Sequence, residues 1–357
     1  MREVYIITGI CGHLGNTVAK QLVSCGKSVR GLALPGESSS MLSSEVALTR
    51  GNVCDIESLE PLFDGITEDE RVIFIHAAGL ISITTKKKDP PIYNVNVGGT
   101  QNIIELCKKH NVSKLVYISS VHAIPEKPHG TVMSEINSFD PDLVVGAYSR
   151  SKAMATQLVL DAANSGLDAT VVHPSGIVGP NDYCDGLMGQ LIKNYLNGVI
   201  SACIKGGYDF VDVRDVANAV IKAAQQGKRG ECYILSNRYY DALDMLNMVH
   251  QITGKRAIKV ILPLWFVKAF VPLAGLYFRM CKQKPLFTED SLHILSSNSA
   301  FSHVKAELEL GFTTRDMKQT IHDTVLFLQD EGMLKQTYLG GDPRPIVSRR
   351  KLKPNRS

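Results

Sequence analysis

A tyrosine and a lysine lie four residues apart in the segment GAYSRSKAM, as Tyr148 and Lys152. Residues i and i+4 share one face of a helix, so both side chains would point into one cleft. A free tyrosine has a pKa of about 10, too high for a base at neutral pH, and an adjacent ammonium lowers it by stabilising the phenolate. The pair therefore predicts a centre that exchanges a proton with an alcohol or carbonyl oxygen.

Two serines end the strand-like run LVYISS upstream of this pair. Ser120 would donate a hydrogen bond to a substrate carbonyl oxygen and fix its position, and Ser119 is its close rival. Both serines could also do no more than end a strand. Farther upstream, the simplest role of Asn96, in the segment NVNVGGTQ, is to cap the helix that follows.

Three glycines, Gly9, Gly12 and Gly15, follow the first strand-like run in ITGICGHLG. Glycines let the backbone turn tightly and approach a pyrophosphate without a Cβ clash, and the next helix supplies N–H donors and a positive dipole. The spacing predicts a dinucleotide site at the start of the chain. A tight turn without a ligand is the alternative.

Strand-like and helix-like patterns alternate over the first two-thirds of the chain, which indicates a parallel sheet covered by helices. The predicted strands are Val4–Thr8, Ser28–Leu34, Val46–Asn52, Val72–His76, Leu115–Ser119, Ala169–His173 and Cys232–Ser236. The predicted helices include Asn96–Lys109, about Ala147–Ala163, and one beginning at Val216 behind Asp215 as its cap.

The predicted fold is α/β, a Rossmann-type doubly wound parallel sheet with a smaller, mostly helical C-terminal substrate-binding part. We assign residues 1–178 and 209–236 to the dinucleotide-binding domain, and residues 179–208 and 237–335 to the substrate-binding part. Residues 336–357 form a basic tail that we expect to be disordered.

Composition excludes several classes of function. Apolar content of 44% and charged content of 21% are ordinary for a soluble globular protein. The net charge of +4 comes from the tail, so the body is near neutral and no nucleic-acid partner is expected. The eight cysteines are scattered without metal-ligand spacing, which predicts reduced thiols and no metal. The strand-like start leaves no room for a signal peptide, so we expect a cytoplasmic protein.

Two apolar stretches, Val260–Val267 and Ala269–Phe278, follow the alternating region. Neither reaches the length of about 20 residues that spans a bilayer. We expect a buried or pocket-lining helical segment, with a weak peripheral membrane contact as the alternative. The sequence leaves open whether the protein is a homodimer.

The motifs together resemble the extended short-chain dehydrogenase/reductase group of the NAD-dependent epimerase/dehydratase superfamily. The first is T-G-x-x-G-x-x-G at Thr8–Gly15, followed by NVNVGGTQNIIE, the Tyr148/Lys152 pair, HPSGIVGP at His173–Pro180 and DFVDVRDVANAV. The later segments KPLFT and FSHVKAELELGF are most similar to the 3β-hydroxysteroid dehydrogenase and dihydroflavonol reductase branch.

This resemblance implies roles for individual residues. Ser120, Tyr148 and Lys152 would be catalytic, with Lys152 also binding the nicotinamide ribose. Asn96 would kink its helix and anchor a proton-relay water. The implied cofactor-binding residues are Thr8, Gly9, Gly12, His13, Leu14, Gly15, Leu34, Asn52, Val53, His76, Ala77, Ala78, Gly79, Tyr148, Lys152, Pro174, Ser175 and Ile177. Asp212 and Asp215 are expected to cap a helix rather than act as bases.

The end of the second strand should select the cofactor, because an acid there binds the adenosine ribose diol and an arginine accepts a 2′-phosphate. The residue at that place is Leu34, which is neither, and Arg30, Ser38 and Ser39 are nearby. NADP or NAD is the expected cofactor, with NADP slightly favoured because no carboxylate would repel the phosphate.

Three functions are consistent with these patterns. The first is an NAD(P)-dependent oxidoreductase that interconverts a secondary alcohol and a ketone on a small apolar substrate, either steroid-like or flavonoid-like. The second is a nucleotide-sugar epimerase or dehydratase, for which Lys255, Arg256 and Arg279 could bind a diphosphate. The third is an NAD(P)-binding regulator without turnover, against which the intact Ser120–Tyr148–Lys152 set argues.

Overall fold

The computed structural model describes residues 2–81, 89–263 and 297–339. Its strands are β1 Arg2–Thr8, β2 Ser28–Ala33, β3 Ala47–Arg50, β4 Glu70–His76, β5 Lys114–Ile118, β6 Ala169–Pro174, β7 Gly176–Val178, β8 Ala202–Ile204, β9 Gly207–Asp212, β10 Cys232–Leu235, β11 Arg238–Asp241 and β12 Val260–Leu262. Seven of them form one parallel sheet in the order β10-β6-β5-β4-β1-β2-β3.

All seven strands predicted from the sequence belong to this sheet, so the predicted fold class is confirmed. The largest difference in extent is at β3, which ends at Arg50 rather than at Asn52. Central strands such as β5 are buried along their whole length, because helices cover both faces of the sheet. Continuous apolar runs were therefore a reliable signal here.

The helices are α1 His13–Ser24, α2 Pro90–Tyr93, α3 Gly99–Lys109, α4 Ala147–Asn164, α5 Leu187–Leu196, α6 Val213–Gln226, α7 Ala242–Thr253, α8 Val304–Leu310 and α9 Met317–Asp330. Apolar residues of α1 and α6 pack in one core, and those of α3 and α4 pack in a second core with other residues of the same strands. The sheet is therefore doubly wound.

The helix α6 begins three residues earlier than predicted. Asp212, rather than Asp215, is its N-cap, and the Asp212 carboxylate accepts a hydrogen bond from the backbone N–H of Arg214. Asp215 lies in the first turn and accepts hydrogen bonds from the backbone N–H and the side chain of Arg315. The prediction placed the cap at the wrong acid because both precede an apolar helical pattern. A structural role holds for both acids.

A third core lies outside the large sheet and is formed mainly by α5, α7 and α9. Beside it, β7, β9 and β11 form a three-stranded sheet, and β12 pairs in parallel with β8. The predicted helical segment is wrong for Val260–Leu262, which form β12; the β-branched pair Val260–Ile261 favours a strand, and Pro263 follows it. Residues 264–278 lie outside the described residues.

Within the described ranges, none of the helices combines the length and the apolar character that a membrane crossing requires. The segment KPLFT and Arg279 lie outside these ranges, and so do residues 340–357 of the predicted tail, which began at residue 336. At the start of that tail, the backbone N–H groups of Tyr338 and Leu339 donate to Gln329 Oε1 over 2.8 and 3.0 Å.

Candidate active site

The glycine turn between β1 and α1 is shaped by steric contact. Gly9 has a φ of +66°, and a Cβ atom on it would lie 2.8 Å from the N and Cα atoms of Ala78. A Cβ atom on Gly15 would lie 2.2 Å from the carbonyl oxygen of Gly9. The turn therefore brings Thr8 and Gly9 against the backbone of Ala77 and Ala78.

The start of α1 fits an anionic group. The helix follows Gly12 with no side-chain cap and no acid in its first turn, so its first N–H groups and dipole favour a phosphate. Leu14 is buried, and His13 Nε2–H donates to the carbonyl oxygen of Pro180 over 2.9 Å. Burial lowers the pKa of His13. The backbone of this turn would hold a dinucleotide pyrophosphate.

His76 ends β4 and is buried between the glycine turn and α3. Its Nδ1 lies 2.7 Å from Thr8 Oγ1, and its Nε2 lies 3.1 Å from Thr100 Oγ1. The Thr100 hydroxyl donates to the carbonyl oxygen of Asn96, so it accepts from His76 Nε2–H, and Nδ1 accepts from Thr8. Burial lowers the pKa of His76 to about 3, with Lys152 acting in the same direction. The imidazole is a neutral structural group.

Asn96 lies in a turn of π-helix, Asn94–Gly98, between α2 and α3. It does not cap a helix, because helical residues precede it without a break. Its Oδ1 accepts from Leu80 N–H over 2.7 Å, and its Nδ2 donates to Leu80 O over 3.0 Å and to Ser151 Oγ over 2.9 Å. The kinked turn thus ties the loop after β4 to α4, where Tyr148 and Lys152 lie.

The two serines after β5 have different surroundings. Thr156 donates its proton to the carbonyl oxygen of Lys152, so the buried Ser119 hydroxyl donates to Thr156 over 2.7 Å. Ser120 Oγ instead accepts from the backbone N–H of His122 over 3.2 Å, which leaves its proton free to donate elsewhere. The Ser120 hydroxyl also lies near Tyr148 and opposes the rise in the Tyr148 pKa. The hydroxyl proton of Ser120, unlike that of Ser119, is therefore available beside Tyr148.

Lys152 is almost fully buried and interacts with uncharged groups. Its Nζ donates to the carbonyl oxygen of Ile118 over 2.7 Å and to the hydroxyl of Tyr117 over 3.4 Å, and lies 5.0 Å from the centre of the Tyr117 ring. A Cβ atom on Gly79 would lie 3.4 Å from Nζ. Burial lowers the pKa of Lys152 to about 7. Burial therefore disfavours the charged form of Lys152, and hydrogen-bond acceptors of a bound ligand would stabilise that form.

The expected lowering of the Tyr148 pKa is not what the protein alone produces. Burial raises the pKa of Tyr148, and the opposing effect comes from Ser120 rather than from Lys152. Desolvation of the phenolate therefore outweighs stabilisation by the protein's own groups. The His122 ring packs edge-on to Tyr148 at 6.0 Å, and the Tyr208 ring stacks on His122 at 5.5 Å.

Sequence reasoning missed four residues of this neighbourhood: Tyr117, Ser151, Thr156 and Tyr208. Helical spacing was the available signal for Ser151 and Thr156, which lie three and eight residues after Tyr148 on the same helix, α4. No sequence pattern indicated Tyr117 or Tyr208. Tyr117 lies in β5 and contacts Lys152, and Tyr208 lies in β9 and stacks on His122, so both positions depend on how the strands pack.

His173, near the end of β6, hydrogen-bonds the backbone of Ser120. His173 Nδ1–H donates to the carbonyl oxygen of Ser120 over 2.9 Å, and burial lowers the pKa of His173 to about 4. Pro174 ends the strand, and Ser175 donates to the buried Asp209 carboxylate over 2.5 Å. Ile177 lies in β7. The three residues predicted here to bind the cofactor, Pro174, Ser175 and Ile177, therefore lie at the end of β6 and in the segment that follows it.

The loops after β2 and β3 correct the premise behind the predicted cofactor preference. Leu34 is half exposed, but its N–H donates to the carboxylate of Glu37 over 2.9 Å, so an acid does lie at the end of β2. Arg30 points elsewhere and donates to the carbonyl oxygens of Leu62 and Asp64.

After β3, Asn52 Oδ1 accepts from Cys54 N–H, and the carbonyl oxygen of Val53 accepts from Asn102. The Val53 side chain fills the space beside Gly99, where a Cβ atom would lie 2.8 Å from it. Asn52 and Val53, both predicted to bind the cofactor, thus belong to a loop that packs against α3.

With this geometry in place, comparison with known proteins is informative. The profile of the NAD dependent epimerase/dehydratase family matches residues 5–236, which include the glycine turn, Ser120, Tyr148 and Lys152. The chain belongs to this family. Its members are nicotinamide-dependent dehydrogenases, reductases, epimerases and dehydratases that act on CH–OH groups, so the chain is an enzyme of this kind.

Among curated proteins, the chain is 26% identical to sterol demethylase protein B of Methylococcus capsulatus over 92% of this chain and 99% of that protein. It is 29% identical to the Synechocystis sp. protein that carries the name dihydroflavonol 4-reductase, over 94% and 97%. Against mouse 3 beta-hydroxysteroid dehydrogenase type 7 the identity is 31%, over about half of each chain. These relatives match the predicted branch.

Among solved structures, that of gox2253 superimposes with a TM-score of 0.78 at 29% identity, over 93% of this chain and 99% of the other. UDP-glucose 4-epimerase of Thermotoga maritima gives a TM-score of 0.73 at 20% identity, over 92% and 99%. The second likeness shows the shared fold. Within the described residues, no group of three or more His, Cys, Asp or Glu side chains could hold a metal ion.

Proposed function

We propose that this enzyme interconverts a secondary alcohol and a ketone on a small apolar substrate, with a nicotinamide dinucleotide as the second reactant. The proposal is carried by the arrangement of Tyr148 and the buried Lys152 one turn apart on α4, next to Ser120 at the exit of β5. One face of α4 and the exit of β5 together supply a hydrogen-bond donor, a proton source and a positive charge, which are the groups that carbonyl reduction requires.

Tyr148 is the acid in reduction and the base in oxidation. Its hydroxyl proton passes to the substrate oxygen as the carbonyl becomes an alcohol, and the reverse transfer accompanies oxidation. The coenzyme supplies or accepts the hydride at the carbon atom. Because burial raises the pKa of Tyr148 further above neutral pH, the protein alone favours the acid role.

Ser120 orients the substrate oxygen. Its Oγ accepts from His122 N–H, so its one proton can be donated to Tyr148 or, in a complex, to the substrate oxygen. A donor fixed in this way stabilises the negative charge that develops on the oxygen. His173 holds the Ser120 backbone through its carbonyl oxygen, which keeps the donor in position.

Lys152 provides charge and a ligand for ribose hydroxyls. Its Nζ has an uncharged environment and lies beside Gly79, in the segment against which the glycine turn packs. A neighbouring hydroxyl pair would offer acceptors to its N–H groups and favour its protonated form. A protonated Lys152 would then stabilise the Tyr148 phenolate during oxidation.

An apolar substrate is supported by the aromatic rings around Tyr148. The His122 and Tyr208 rings stack on each other, and Tyr208 contacts Phe210 and Phe301 edge-on. Flat side chains of this kind suit a fused-ring ligand better than a phosphorylated sugar. The names of the sterol and 3 beta-hydroxysteroid relatives describe substrates of this shape.

The test is absorbance at 340 nm with the purified full chain, NAD and NADP in both oxidation states, and a panel of hydroxysteroids, flavanonols and nucleotide sugars. We expect turnover with a steroid or flavanonol, and loss of at least about a thousandfold in kcat for Tyr148→Phe. NADH binding by Tyr148→Phe should remain within about threefold of the unmodified protein.

Tyr239→Phe is the matched control, because Tyr239 is half exposed and lies in β11. Turnover confined to nucleotide sugars would overturn the proposed substrate class. Full activity of Tyr148→Phe would overturn the proposed acid–base residue.

A further inference from the structure

The acid at the end of β2 is placed there by a tight turn. The carbonyl oxygen of Leu34 accepts from the N–H of Glu37 over 3.1 Å, and Gly36 between them has a φ of +79°. Proline at the second position and a positive φ glycine at the third define a type II turn. The segment Leu-Pro-Gly-Glu therefore reverses the chain and returns the Glu37 side chain to the strand it has just left.

The carboxylate returns to the strand's end. Leu34 N–H donates to Glu37 Oε2 over 2.9 Å. The same carboxylate lies near Cys11 in the glycine turn. Burial raises the pKa of the Cys11 thiol to about 11, and the negative charge of Glu37 adds to this rise. Register supports this placement, because Leu32 of β2 pairs with Thr8, the residue directly before the glycine turn. Glu37 thus bridges β2 and the loop that would hold the pyrophosphate.

Arg50, the last residue of β3, fixes this turn from outside. Its guanidinium donates to the carbonyl oxygens of Leu34 and Glu37 over 3.0 and 2.6 Å, and to Ser39 Oγ over 2.9 Å. These three bonds aim its donors at the turn itself. Arg50 is therefore a positioning residue for Glu37, and in this arrangement it does not present a free fork to a phosphate.

We propose that Glu37 reads the 2′ position of the adenosine ribose and makes the enzyme prefer NAD(H) to NADP(H). A carboxylate accepts hydrogen bonds from a ribose diol and repels a 2′-phosphate. One oxygen of Glu37 is already fixed by Leu34 N–H, which orients the other for a ligand hydroxyl. The inference rests on the proposed dinucleotide-dependent function and reverses the preference expected from Leu34 alone.

Binding measurements test it without turnover. Dissociation constants of NADH and NADPH are measured by fluorescence, and those of ADP-ribose and 2′-phospho-ADP-ribose by calorimetry, on the purified full chain. We expect NADH to bind at least about tenfold more tightly than NADPH, and ADP-ribose more tightly than its 2′-phosphate. Equal or tighter binding of the phosphorylated forms overturns the proposal.

Variants separate charge from structure. Glu37→Gln keeps an acceptor for Leu34 N–H but removes the charge, so NADPH should bind at least about fivefold more tightly and the NADH preference should shrink. Glu45→Gln, an exposed acid on the same loop, is the control and should leave the ratio unchanged. An unchanged ratio in Glu37→Gln contradicts the proposal.

Arg50→Gln distinguishes the two roles of the arginine. If Arg50 positions Glu37, its loss weakens NADH at least as much as NADPH. A selective loss of NADPH binding would show that Arg50 serves the phosphate, and would overturn the proposal. If the protein bound neither dinucleotide, both the Glu37 proposal and the proposed function would be wrong. If it showed the expected binding ratio but no turnover on any substrate, only the proposed function would be wrong.

Discussion

The glycine turn and the proposed catalytic face of α4, which carries Tyr148, Lys152 and Thr156, lie next to each other but are built differently. The turn is defined by backbone contacts that leave no space for a side chain, such as the 2.2 Å between a Cβ on Gly15 and the Gly9 carbonyl oxygen. The catalytic face is defined by side-chain hydrogen bonds from several elements, with Ser119 bound to Thr156 and Lys152 bound to Ile118. The first region is rigid by sterics, and the second by satisfied polar groups.

This difference decides how each region tolerates change. Any added atom in the glycine turn meets backbone, which cannot move without disturbing β1, β4 and α1 together. On the catalytic face, a change of one polar atom leaves the packing in place and alters a hydrogen bond or a charge. We therefore expect substitutions in the turn to reduce stability and cofactor binding together, and substitutions near Tyr148 to separate stability from catalysis.

The largest effect should come from Gly15→Ala. Its Cβ would overlap the Gly9 carbonyl oxygen, so we expect a loss of about 3 kcal/mol in the free energy of unfolding and of at least about a hundredfold in NADH affinity. Gly98→Ala is the matched control, because that residue has a helical φ of −61° and open space around its Cβ. The control should be neutral or stabilised by about 0.5 kcal/mol. Urea unfolding and fluorescence titration measure both, and equal behaviour of the two variants would contradict the steric account.

The serine pair should give the next largest effect and separate the two properties. Ser120→Ala should lower kcat by about a hundredfold with little change in stability, because it removes the donor beside Tyr148. Ser119→Ala should cost about 1 kcal/mol in unfolding free energy, because it removes the buried bond to Thr156, while kcat stays within a few-fold. If the two variants exchanged these effects, Ser119 would be the catalytic serine.

These contrasts also explain what could be predicted from the sequence. Glycine spacing is legible because φ and close approach exclude other residues, and the strands of the sheet are legible because burial on both faces produces continuous apolar runs. The residues of LVYISS alone do not decide between Ser119 and Ser120, although the family resemblance favoured Ser120. The decision depends on Thr156, on another element, which donates its proton to the carbonyl oxygen of Lys152 and so accepts from Ser119. The role of Asn96 depends likewise on Leu80 and Ser151, which the fold brings to it.

Glu37 shows how a local signal can be overlooked. Leu34 ends the predicted second strand, and it is not an acid. The Pro-Gly pair that follows is a turn signal, and a turn at this place returns the next residue to the strand. The turn signal in Leu-Pro-Gly-Glu is therefore sufficient to predict that Glu37 lies beside the end of β2. Tyr208 offers no such signal, because β9 carries it to Tyr148 from 60 residues away along the chain.

The smallest effect concerns the charge on Lys152 and the pH dependence of stability. Burial lowers its pKa to about 7 in the folded chain, against about 10.4 when unfolded, so between these values the unfolded chain binds more protons and stability rises with pH. Lys152→Met lacks this dependence. Its stability relative to the unmodified protein should therefore fall by about 2 kcal/mol between pH 7 and pH 9. Urea unfolding without cofactor at several pH values measures the difference, and Lys318→Met, at an exposed position in α9, should show none. A flat difference for Lys152→Met would mean that the folded protein leaves the Lys152 ammonium as easily charged as water does, which would contradict the cost that burial imposes on this charge.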